Sequence, residues 1–150
     1  MSVRATILAN LLAELATITT ANGYATNVGE VLADVKHSQA TNIGPGKVSV
    51  QIADEGDGEV IHNGAGGLTL IPMTIEIRGA IEGAVGEGVP YQTADSWLAD
   101  LRKLIRKPIV LGANFRFARV LATPTINLFG SDAIVRVPVE IVYWFDQDAP

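Results

Sequence analysis

The chain has 150 residues, a net charge of −5, 48% apolar and only 18% charged residues, and no cysteine. That length supports one domain with a real core. The apolar share excludes global disorder, and the missing cysteines exclude disulfides, thiolate metal sites and thiol chemistry.

The first predicted element is a helix over residues 3–19, because Val3, Ile7, Leu8, Leu11, Leu12, Leu15 and Ile18 recur at helical spacing. Asn10 and Glu14 interrupt its apolar run, so it reads as a helix and not as a secretory signal. Thr19, Thr20, Asn22 and Gly23 end it, with Gly23 suited to a left-handed cap. Residues 24–35 are mixed, with strand preference at Tyr24, Thr26 and Val28. The polar segment 37–46 closes on Gly-Pro-Gly, a turn signal. Lys47 to Ala53 alternates, Val48, Val50 and Ile52 against Ser49 and Gln51, as a half-buried strand does.

The stretch EGDGEVIHNGAGG, residues 55–67, holds five glycines and almost nothing that could pack. Glycine loses the most conformational freedom on ordering, so this segment is predicted to be a flexible arm. Leu68 to Ile81 is a long strand with Ile71, Met73, Ile75 and Ile77 on one face. Pro72 cannot donate to a neighbour, which predicts an edge or a bulge there. After a second glycine-rich link, Thr93 is placed to cap a helix whose stripe is Trp97, Leu98, Leu101, Leu104 and Ile105. Arg102, Lys103, Arg106 and Lys107 crowd its end, where the backbone carbonyls favour positive charge, and Pro108 stops it. Arg119–Phe129 and Ala133–Phe145 are two strands joined by the turn Gly130, Ser131, Asp132, a hairpin. The order predicts one α+β domain over residues 1–150: a two-layer sandwich with a mainly antiparallel mixed sheet and two principal helices on one face.

No motif carries chemistry. Gly56 and Gly58 begin a G-x-G-x-x-G pattern, but Ile61 stands at its third glycine. Gly46-Lys47 resembles the end of a phosphate loop, with Thr41 and Val48 where a glycine and a hydroxyl are required. Asp54, Glu55, Asp57 and Glu59 lack the spacing of a calcium loop and read as a solvated acidic stretch. His37 and His62, the only imidazoles, sit in separate polar segments. Glu76 and Glu140 lie within strands and are the one conceivable carboxylate pair, read here as facing solvent or a subunit. No catalytic, cofactor or metal site is predicted. No basic block neutralises a phosphate backbone, and no run approaches the roughly 20 apolar residues that span a bilayer.

The segments GYATNVGEV, LIPMTIEIRG, ADSWLADLRKLI and VRVPVEIVYWF, in this order, resemble the tail terminator family of tailed bacteriophages. The resemblance implies a non-enzymatic virion protein, assembled in the host cytoplasm, that forms a hexameric ring at the head-proximal end of the tail. The ring caps the tail tube, ends its polymerisation and meets the head–tail connector or neck protein. In contractile tails it also meets the sheath, and DNA only passes through its lumen. Other structural subunits share this texture: a head–tail adaptor, a tail completion subunit or a tail tube subunit. An enzyme would need a concave site with paired ionisable groups. A small ligand-binding domain would need a closed apolar pocket. The last strand's otherwise polar face carries Ile134, Val142 and Trp144, with Glu140 among them. These four residues are predicted to meet a neighbouring subunit or a third helix, Trp144 as the anchor. By the same resemblance Asp57, Glu59, His62 and Asn63 of the arm are predicted to contact tube or connector.

Overall fold

The computed structural model describes residues 2–33, 46–60, 62–63, 68–82, 89–107, 111–121, 123–129 and 132–146. Helix α1 spans Val3–Leu15, capped by the Ser2 hydroxyl, which accepts from the Ala5 N–H. It ends at Leu15 and not at 19. Thr17 turns its hydroxyl onto the Glu14 carbonyl, a local bond that competes with the helical ladder, and the branched run Ile18-Thr19-Thr20 follows. A single 3-10 turn, Thr20–Asn22, comes next, and Gly23 caps that turn at φ 86°.

Strand β1 (Asn27–Ala33) runs parallel to β2 (Lys47–Asp57), which is antiparallel to β4 (Leu68–Ile81). The short β3 (His62–Asn63) pairs with Leu70 and Thr69 of β4. Helix α2 covers Val89–Arg106, starting before Thr93; Pro90 is tolerated because first-turn N–H groups have no helical partner. Strands β5 (Phe115–Val120), β6 (Thr125–Phe129) and β7 (Asp132–Asp146) complete a mixed sheet in the order β1-β2-β4-β7-β5. Among the described residues the fold is therefore mixed α and β, two α-helices and one largely antiparallel sheet.

Two expectations need correction. The strand expected over 119–129 is two strands. Val120 pairs with Val139 and Thr125 with Arg136, so four residues (121–124) face two on β7. Pro124 lies in that excursion and has no N–H to give a ladder. Pro72, expected at an edge or bulge, sits in interior strand β4, which is flanked by β2 and β7.

The two prolines of the long central strands share one solution. Pro72 accepts from Gly58 N–H on the side where β2 gives way to β3. Pro138 of β7 accepts from Leu121 N–H on the side where β5 gives way to β6. A strand residue's N–H and C=O point the same way. Each missing donor therefore faces the gap where the flanking strand changes.

One hydrophobic core joins the helices and the sheet. Ile7, Leu11 and Leu15 of α1 and Trp97, Leu101 and Leu104 of α2 pack with Val48 and Val50 of β2, Met73, Ile75 and Ile77 of β4, and Val135, Val137, Val139 and Ile141 of β7. Trp97 lies on Gly79, the one place on β4 without a side chain on its core-facing side. Buried Asp100 of α2 accepts from Ala25 N–H (3.0 Å), Thr26 N–H (2.8 Å) and the Thr26 hydroxyl (2.6 Å), tying the segment before β1 to the helix. No helix among the described residues is long and apolar enough to cross a membrane.

Candidate interaction surfaces

The side chains of β4 and β7 that point away from the core form the first surface. The register sets Leu70 against Trp144, Pro72 against Val142, Thr74 against Glu140 and Ala80 against Ile134. Val142 is fully covered within the chain and offers no area of its own, whereas Trp144 and Ile134 are half-buried. Phe117 of β5 pairs with Val142 and stands 44% exposed. Trp144 is held by its backbone: its N–H donates to the Asn114 carbonyl at 2.8 Å, and Asn114 Nδ2 donates to its carbonyl at 3.0 Å. Glu140 accepts from Arg119 Nε at 2.9 Å, and Glu76 accepts from Arg78 Nε. Both carboxylates of the conceivable pair are thus committed to arginines. No third α-helix lies over this face among the described residues.

The second surface is the acidic end of β2. A bulge makes Glu55 the extra residue between Asp54 and Gly56, and Gly56 takes φ 95°. Asp54 and Asp57 turn back to α1, where Arg4 donates to Asp54 Oδ1 (2.6 Å) and Asp57 Oδ1 (2.9 Å). Partial burial works against the Arg4 charge, but the bonds to the two carboxylates outweigh it and hold its pKa above the ordinary value. The Tyr143 hydroxyl donates to Asp57 Oδ2 at 3.1 Å. Burial, reinforced by the Asp57 charge, pushes the tyrosine pKa up to about 12. Asp57, expected to reach a partner, thus pins α1 to the sheet, while Glu55 and Glu59 remain exposed. His62 and Asn63 form β3, so part of the glycine-rich stretch is strand; residues 61 and 64–67 of the arm, like His37, lie outside the described residues.

The third surface is basic. Arg102, Lys103 and Arg106 stand exposed on α2, and Lys107 just past its end. Lys103 and Lys107 bracket the Tyr24 ring, with ammonium nitrogens 5.1 and 4.7 Å from its centroid, and Lys107 Nζ donates to the Tyr24 hydroxyl. A cleft of about 330 Å³ between α2 and β5 is lined by Arg102, Ile105, Arg106, Ala118, Arg119 and Val120. Arg116 is exposed at a bulge of β5, the extra residue between Phe115 and Phe117. These four cations are legible as a helix-end cluster, but nothing in the sequence joins them to Arg116 and Arg119 on a strand beyond. Phe117, Leu121 (40% exposed) and Leu128 (54% exposed) continue this flank along β5 and β6.

Among the described residues no three histidine or acidic side chains gather to hold a metal. The sequence matches no protein-family model and no curated protein.

Proposed function

We propose that the chain is a structural virion protein of a tailed bacteriophage, a tail terminator subunit that closes with copies of itself into a hexameric ring. The ring caps the head-proximal end of the tail tube and ends its polymerisation. Its other face receives the head–tail connector or neck protein, and in a contractile tail its rim meets the sheath. Genome DNA passes through the lumen without specific contact. The reading takes the architecture as a two-layer sandwich, both helices on one face of the sheet, and gives no residue a catalytic, metal or cofactor role.

The observation that carries the reading is the β5–β6 flank. It leaves Phe117, Leu121 and Leu128 exposed along the β5–β6 edge, with Val60 the remaining exposed large apolar residue among those described. Exposed apolar side chains along a single sheet edge offer area for a protein contact. The order and texture of the strands and helices, which resemble the terminator family, supply the particular assembly.

Electron microscopy of the purified protein, with and without tail tubes, tests it. The expected result is a ring seated at one tube end and absent from the other. A protein that forms no ring and leaves both tube ends bare overturns the reading.

A further inference from the structure

Arg102 and Arg106 of α2 and Arg119 of β5 line one cleft, and Arg116 stands exposed at the bulge of the same strand. Four acids, Asp54, Glu55, Asp57 and Glu59, fall within six residues at the end of β2. The sheet order puts β4 and β7 between these two regions. Three strand spacings amount to about 14 Å, so the groups of one chain do not pair with each other across the sheet. Arg119 is engaged by Glu140 and the aspartates by Arg4. Among the described residues, Arg102 and Arg106 on one side and Glu55 and Glu59 on the other have no ion-pair partner, and all four are exposed.

We infer that the cleft between α2 and β5 receives the acidic end of β2 from a second copy of this chain, Arg102 and Arg106 meeting Glu55 and Glu59. The inference rests on the ring reading above and names the two surfaces that meet. Opposite signs on different faces of one subunit are what a head-to-tail contact needs, since one copy's acidic end meets the next copy's basic cleft. The contact is made by side chains and not by strand addition. The two end strands of the sheet order are bulged, β1 at Gly29 and β5 at the charged Arg116, and a bulged, charged edge resists pairing with another strand. Ile105, Ala118 and Val120, which line the cleft, supply the apolar part of the contact. A ring that passes DNA also has reason to bury this flank, because exposed arginines in the lumen would grip phosphates.

Charge reversal tests the contact on the full chain, read by sedimentation velocity at fixed protein concentration, with circular dichroism as the check on folding. R102E/R106E and E55K/E59K should each weaken self-association on the order of 10- to 100-fold, as like charges face each other. Mixing the two variants in equal amounts should restore the ring, with the variants alternating. The neutral R102Q/R106Q gives a milder loss and avoids placing acids at the helix C-terminus. A wild-type ring that survives both reversals overturns this contact and leaves the ring reading standing. A wild-type chain that stays monomeric both alone and with tail tubes overturns both. Reversals that abolish assembly without rescue in the mixture overturn the pairing of these two surfaces.

Discussion

Replacing Gly79 by alanine puts one methyl group into the tightest contact of the core. A carbon built there would lie 2.8 Å from Trp97 Cζ3, 3.0 Å from Cη2 and 3.1 Å from Cε3. Ordinary contact begins at 3.4 Å, so the indole must retreat by the difference, 0.6 Å. Trp97 is fully buried, and its helix is tied to the segment before β1 through Asp100. Retreat therefore displaces α2 or strains the ring, an overpacking cost of about 1–3 kcal/mol. Losing a strand glycine returns about 0.5–1 kcal/mol of backbone entropy. The net is a loss of up to about 2.5 kcal/mol, a fall in Tm of up to roughly 10 °C for a chain of this length. Calorimetry at one protein concentration measures it, because self-assembly raises apparent stability. In a Trp97→Phe background the same methyl finds room, and the two changes should couple by about 1 kcal/mol or more. A Gly79→Ala change that stabilises the protein, or that shows no coupling to Trp97→Phe, would refute the packing described here.

Other perturbations read other parts of the molecule. Asp100→Ala strands the buried Thr26 N–H and hydroxyl and should cost about 2–4 kcal/mol in urea denaturation; a neutral result would contradict the anchoring of the β1 approach. The raised Tyr143 pKa means that the folded state disfavours the tyrosinate. The corresponding stability is complete below the unfolded tyrosine value near 10 and is lost as pH rises toward about 12. Tyr143→Phe should therefore lose less stability than wild type across that window, and identical pH profiles would argue against the Asp57 contact. Trp144→Ala should keep the far-ultraviolet dichroism and lose the ring by mass measurement; an intact ring would remove Trp144 from the subunit contact.

Periodicity made much of the fold legible. The stripes of α1 and α2 and the alternation of β2, β4 and β7 name nearly the whole core, because burial on one face leaves a repeat in the sequence. β4 matches its expected bounds, Leu68–Ile81. What periodicity does not carry is partnership. The parallel pairing of β1 with β2 depends on a connection whose path no local pattern states. β3 hides among glycines, since two residues leave no repeat. The split between β5 and β6 follows from Pro124 and from Pro138 on the facing strand, and only the pairing reveals their relation. The anchoring of Asp57 was illegible for the same reason, as Arg4 and Tyr143 reach it from positions 53 and 86 residues away. The basic cleft joins side chains from a helix and a strand that no spacing rule connects.

The paired prolines of β4 and β7 have a mechanical consequence. Together these strands make a spine whose outer neighbours attach in separate segments, β2 then β3 on one side and β5 then β6 on the other. Neither rib can be zipped into one uninterrupted ladder, because the donor that would bridge the junction does not exist. Each rib therefore meets the spine as two short ladders, and the pairing of one segment does not extend into the other.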